Sequence, residues 1–268
     1  MSLESFQQAF GDLIASPKLC LLLRSNPDEV LSNYDLSPRE QRRLTAIVNQ
    51  PGMSTNCTLY RANRLTAIYT LMPLTCVLLD SDLKGELDLY AETNQNRDLQ
   101  FKQESERFAR FITQRVLTGQ LQNEYILEVI DYELAKNDLM YLSQRRSWPD
   151  SDKSRITEFD ISDVTRDQFV LHPLTRLVYF KHDPAILIGL LGNMRIPPKA
   201  MAEGDFCLLL DARGEEIMVM ALDETARLIL RTMSAGSYSV DSDEALANLL
   251  GFLQADIVRI ICKPSPRT

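Results

Sequence analysis

Apolar positions recur at helical spacing through the first half of the chain and gather into short, strand-length runs in the second. Phe6, Phe10, Leu13 and Ile14 define a first helical stripe, Pro17 interrupts it, and Leu19–Leu23 forms a compact apolar run. Ser25-Asn26-Pro27-Asp28 and Ser37-Pro38-Arg39-Glu40 both set a capping residue before a proline at the first helical position, and Ser37 and Glu40 also have capping-box spacing. The Pro-Gly within Asn49–Ser54 predicts a break. From Thr55 to Leu79 the residues Leu59, Ala62, Leu65, Ile68, Tyr69, Met72 and Cys76 keep a period of about 3.6. This predicts one long helix that Pro73 kinks near Thr70. Helices are predicted over 82–92, 101–117 and 122–142. The second of these carries Phe101, Phe108, Phe111 and Ile112, and the third Tyr125, Ile126, Val129, Ile130 and Leu134.

The second half reads differently. Arg176–Lys181, Phe206–Leu210 and Ile217–Leu222 are apolar runs of strand length, and Asp211-Ala212-Arg213-Gly214 joins the last two as a hairpin turn. Asp223 stands at an N-cap, Leu228, Ile229 and Met233 mark one helix face, and Ala235-Gly236 ends that helix. Ser239-Val240-Asp241 starts another, with Ala245, Leu246, Leu249 and Leu250 on its apolar side. The predicted fold class is α+β. A helical domain over 1–145 is followed by a linker over 146–168, which has no sustained periodicity, and by a small winged-helix-like domain over 169–268 with a three-stranded antiparallel sheet.

Bulk chemistry narrows the function classes. The 268 residues carry 29 Lys+Arg against 37 Asp+Glu, a net charge of −8, and the part from Thr165 onward contributes about −2 of it. Non-specific duplex binding draws on phosphate neutralisation, so a slightly acidic domain argues against DNA. The first residues lack a basic segment followed by an apolar signal core, and no apolar run reaches the length of a membrane span. Cys20, Cys57, Cys76, Cys207 and Cys262 are scattered without a C-x-x-C pair, which fits reduced, buried thiols and a cytoplasmic setting.

Catalytic signatures are absent from the sequence. There is no phosphate-binding glycine motif and no nucleophile elbow. The histidines are His172 and His182, on either side of a predicted strand, and neither has metal-ligand spacing to a partner. His182-Asp183-Pro184 reads as a strand-to-helix cap. Glu133 lies among apolar neighbours and is either a buried acid or a carboxylate on the helix surface, the surface position being the expected one. Tyr60, Arg61 and Asn63 are either partner contacts or ordinary polar residues of a helix start. Ile217–Leu222 is the candidate edge of the sheet, since a strand that leads directly into a helix often ends one. A central, covered strand is the alternative.

Two resemblances give these features a functional direction. The order strand, strand, Asp223-Glu224-Thr225-Ala226-x-x-Ile229-Leu230, glycine, short helix resembles a domain that binds the leader of a ribosomally made, later modified peptide. Winged-helix DNA binders share this element order, so a DNA-binding transcriptional regulator is the alternative. Further upstream come Tyr60-Arg61-x-Asn63, Pro73, Leu78-Leu79-Asp80, Phe108-Ala109-x-Phe111-Ile112 and Tyr125-Ile126-Leu127-x-Val129-x-x-x-Glu133-Leu134-Ala135. With the run from Leu174 (LTRLVYFKHD), they resemble a family earlier labelled DNA-binding that includes the partner subunit of methanobactin biosynthesis. The likeness covers about residues 55–255, and the first 50 residues depart from its pattern.

The resemblance implies a non-catalytic subunit that works beside a multinuclear non-haem iron oxidative enzyme acting on cysteines of a precursor peptide. It places iron in the partner, with no metal or cofactor on this chain. Leader binding is assigned to Ile217, Met218, Val219, Met220, Ala221 and Leu222, and partner-enzyme binding to Tyr60, Arg61, Asn63 and Glu133.

Overall fold

Proline opens six helices among the described residues. A proline at the first helical position loses nothing, because that N–H has no intrahelical acceptor and φ is already set. The computed structural model describes residues 3–94, 100–143, 169–234 and 243–260. After α1 (Leu3–Ala15), proline starts α2 (Pro17–Ser25), α3 (Pro27–Leu31), α4 (Pro38–Val48), α5 (Pro51–Leu71) and α6 (Pro73–Leu79). At α2 the Ser16 hydroxyl accepts from Leu19 N at 3.2 Å. At α4 the capping box is complete: Ser37 N donates to Glu40 Oε2 at 2.8 Å and Glu40 N to Ser37 Oγ at 3.3 Å.

Two sequence expectations change here. Pro51-Gly52 does not separate α5 from what precedes it by a loop; it forms the first turn of α5, directly after α4. Pro73 does not kink one helix but starts the next. Met72, pushed out of the helical region by the following proline, has φ −133° and ψ 48°. The chain turns by 98° between Pro51–Leu71 and Pro73–Thr93. Among the described residues no single helix is long and apolar enough to cross a membrane. A 3-10 turn (Asp80–Asp82) leads into α7 (Leu83–Thr93), α8 (Phe101–Leu117) and α9 (Ile126–Ser143).

The chain divides into two compact units, Met1–Ile126 and Leu127–Thr268. The first unit has a core of Ala9, Leu13, Leu23, Leu44, Val48 and Met53, joined by the thiols of Cys20 and Cys57. Those sulfurs lie 3.8 Å apart, and Cys20 donates to Leu13 O at 2.8 Å. Burial pushes the Cys20 thiol up to about 12, with the neighbouring Cys57 adding to the shift. Between α7 and α8, Tyr90 meets Phe108 edge-on at 5.2 Å between ring centroids.

The second unit is built on an antiparallel sheet of order β2-β3-β4, from β2 (Thr175–His182), β3 (Glu203–Asp211) and β4 (Met218–Ala221). These are the three expected strands. A separate pair joins β1 (Phe169–Leu171) to β5 (Val258–Ile260), and α10 (Pro184–Gly192) follows β2 with Asp183 as its cap. α9 lies in this unit and packs along β2: the Tyr132 ring lies tilted against Phe180 at 6.2 Å, and Asp138 pairs with Arg176 at 2.6 Å. The expected linker over 146–168 lies outside the described residues.

On the other face, α11 (Glu224–Ser234) and α12 (Asp243–Gln254) pack on Leu209, with Leu230, Leu249, Leu253, Ile257 and Val258 completing the core. Asp223 caps α11 by accepting from Ala226 N at 2.7 Å. The buried face of α11 is Ala226, Ile229 and Leu230, whereas Leu228, expected on that face, is 60% exposed. The register of the helix decides this: positions 226, 229 and 230 fall on one side and 228 on the other. The expected helix stop at Ala235-Gly236 and restart at Ser239–Asp241 lie outside the described residues.

Candidate functional site

Among the described residues β4 is an edge strand, with β3 on one flank. Its register pairs Met218 with Asp211, Val219 with Leu210, Met220 with Leu209 and Ala221 with Leu208. One residue further, Leu222 N donates to Cys207 O at 3.0 Å. In an antiparallel ladder the bonded pairs alternate, so the main-chain groups of Met218, Met220 and Leu222 face β3. Those of Val219 and Ala221 face outward, and no partner contacts them among the described residues. Ile217 and Leu222 flank the strand rather than belong to it. Met218 is 60% and Val219 44% exposed, while Met220 and Leu222 pack on the core.

The opposite edge is closed at both ends. Ala212 N donates to Leu174 O at 2.9 Å, so the same alternation turns the main-chain groups of Thr175, Leu177, Tyr179 and Lys181 away from β3. Thr175 N is taken by His172 O at 2.9 Å. Lys181 N donates to Glu128 Oε2 at 3.0 Å, and His182 N reaches the same oxygen at 3.2 Å. The carboxylate of α9 thus ends the strand where its pairing with β3 shifts register between Phe180 and His182.

The polar residues singled out on α5 flank in sequence a residue of a buried ion cluster, Arg64. Arg64 is 4% exposed and sits one turn before Ile68 on the buried stripe of α5. Its Nε donates to Glu104 Oε1 at 2.5 Å, Tyr90 OH donates to the same oxygen at 3.0 Å, and Arg107 Nη2 donates to Glu104 Oε2 at 3.0 Å. The Arg64 guanidinium also lies 4.9 Å from the Tyr90 ring centroid and 5.9 Å from that of Tyr60. Burial works against the Arg64 charge, but Glu104 outweighs it and holds the pKa above its ordinary value. Burial, then the charge of Glu104, pushes the Tyr90 phenol up to about 12, and burial raises Tyr60 against the pull of Arg64. The Tyr60 hydroxyl and Arg64 Nη2 are both buried with no hydrogen-bond partner. Arg61 is exposed and paired with Asp88, and Asn63 is exposed.

Sequence reasoning missed Arg64 and Glu104. The available signal was a charge falling on an apolar stripe: Arg64 in register with Ile68, and Glu104 in register with Phe108. Glu133 is 3% exposed, which corrects the expectation of a surface carboxylate and offers a partner no accessible group. It belongs to the second unit, whereas Tyr60, Arg61 and Asn63 belong to α5 of the first. Its charge contributes, after burial, to raising the neighbouring Tyr132.

Both histidines are buried and engaged. His172 Nδ1 accepts from Leu174 N at 3.1 Å, and His182 Nδ1 lies 2.8 Å from Glu128 Oε1. Among the described residues no group of three or more His, Cys, Asp or Glu side chains is placed to hold a metal ion. No known family model matches the chain, and no curated protein matches it.

Proposed function

We propose that this chain is a non-catalytic subunit that captures the leader of a ribosomally made precursor peptide and presents its cysteine to a partner iron-dependent oxidative enzyme. The observation that carries the reading is the outward main chain of Val219 and Ala221 on an exposed edge strand. An extended leader adds there as a fourth strand, with ladder bonds supplying affinity and alternate side chains supplying selectivity. The exposed Met218 and Val219 provide apolar surface beside the added strand. The motif resemblance along α5, α8 and α9 supports a docking role for the helical region, with Arg61 and Asn63 as its exposed candidates, Tyr60 half-buried beside them, and iron held by the partner. The setting is cytoplasmic.

The register makes proline a clean probe. Val219→Pro removes an outward N–H and leaves the bonds between β4 and β3 in place, an arrangement in which an edge strand tolerates proline. Isothermal titration with a synthetic leader of a cysteine-containing precursor peptide is expected to show at least a tenfold loss, about 1.4 kcal/mol. Met218→Glu is expected to weaken binding similarly while thermal stability stays near that of the parent. Unchanged affinity in both folded variants places the peptide elsewhere and rejects the edge-strand reading.

A further inference from the structure

The open edge of the sheet is bracketed by acids. Glu215 and Glu216 precede β4, Asp223 and Glu224 follow it, and all four are exposed. Between Asp211 and Glu224 the one base is Arg213, and Asp211 holds its guanidinium Nε at 2.8 Å. The cations of α11, Arg227 and Arg231, pair with Asp205 at 3.2 and 3.9 Å. Among the described residues no cation pairs with any of the four bracketing acids. Both ends of the edge therefore carry uncompensated negative charge, while its middle is apolar, with Met218 60% and Val219 44% exposed.

This pattern discriminates between occupants. A second copy of the chain adding its own β4 antiparallel would set Glu215 and Glu216 against the partner's Asp223 and Glu224, and like charges across a strand pair are destabilising. An acidic strand is repelled in the same way. A strand with a cation at each end is attracted, whichever direction it runs, because the two ends of the edge have the same sign. The positive end of the α11 dipole tempers the second pair of acids, so Glu215 and Glu216 supply the larger share.

We propose that the β4 edge selects leaders whose docking segment is apolar at its centre and carries Lys or Arg at both ends, about eight residues from end to end. The inference rests on leader capture at this edge and names the chemistry of the peptide captured. Main-chain bonds from Val219 and Ala221 hold the segment, Met218 and Val219 meet its apolar side chains, and the bracketing acids choose its terminal charges.

The test is fluorescence anisotropy of the full chain with labelled octapeptides at about 20 mM salt, where exposed charges are weakly screened. The probes are KTVTVTVK, its charge reversal ETVTVTVE, and KTSTSTSK, which keeps the charges without the apolar centre. KTVTVTVK is expected to bind at least tenfold more tightly than either of the others, and its advantage over ETVTVTVE to collapse near 1 M salt. The variant E215K/E216K/E224K, changed only at exposed positions, is expected to reverse the order of KTVTVTVK and ETVTVTVE. N-methylation of the valines, or of the threonines, removes the central donors along one edge of the peptide, and one of the two sets is expected to abolish binding. Equal binding of KTVTVTVK and ETVTVTVE, both lost on N-methylation, would overturn the charge selectivity and leave leader capture standing. An unchanged order in the folded lysine variant, or KTSTSTSK matching KTVTVTVK, would overturn the proposal likewise. Binding that survives both methylated sets, or no binding by any probe, would remove the peptide from this edge and overturn the leader reading as well.

Discussion

At the β4 edge the groups left over for a partner belong to the main chain, the N–H and C=O of Val219 and Ala221. In the buried cluster of α5, α7 and α8 the polar groups belong to side chains, Arg64, Tyr90, Glu104 and Arg107, and bond one another. The difference governs how each region fails. A main-chain edge survives most substitutions, because its donors come with any residue except proline, and selectivity rests on whatever side chains flank it. A side-chain cluster in the interior depends on every member, because removing one strands a charge where water cannot reach it. The first is suited to an extended polymer read along its length, the second to holding α5, α7 and α8 together.

The largest expected effect tests that dependence. Glu104→Ala leaves the buried Arg64 without its carboxylate and takes a partner from the Tyr90 hydroxyl. A loss of about 3–5 kcal/mol is expected, as for other broken buried pairs, read as a lower urea midpoint. A loss below about 1 kcal/mol would mean that the cluster behaves like a surface pair.

An intermediate effect concerns the closed edge. Glu128→Ala removes the acceptor of the main-chain N–H groups of Lys181 and His182 and a partner of the His182 ring. Hydrogen bonds to a charged acceptor suggest a loss of about 2–3 kcal/mol, with amide exchange accelerating at Lys181 and His182 but not at Val178. Uniform acceleration across the sheet would show that Glu128 supports the whole unit rather than the strand end.

The smallest effect lies in the β3–β4 turn. Burial pushes the Asp211 carboxyl up, but hydrogen bonds from the Arg213 main chain and guanidinium outweigh it and hold the group below the ordinary carboxylate range. A depressed folded pKa contributes stability above the unfolded value, near 4, and that contribution disappears as the pH falls through the folded value. Arg213→Ala is expected to lose up to about 1 kcal/mol at neutral pH and to flatten the acid side of the stability profile. An unchanged acid slope would remove Asp211 from the list of groups that resist acid unfolding.

The sequence by itself determined much of the local structure. The three strands of the sheet, the Ser37–Glu40 capping box and the Asp223 cap follow from side-chain periodicity and from donors and acceptors three residues apart, which any chain carries in its local order. The edge position of β4 was also legible, because a strand that enters a helix directly has little chain with which to gain another neighbour. Only the tertiary structure decided which proline kinks and which starts a helix, since Pro51 and Pro73 become helix starts when neighbouring elements take up the turned chain. It decided the outward direction of Val219 and Ala221, because ladder alternation depends on the register with β3 rather than on the residues of β4. It decided that Arg64 and Glu104 meet forty positions apart and that Glu128 ends β2. Such pairings cross long stretches of chain, and no periodicity within either partner specifies them.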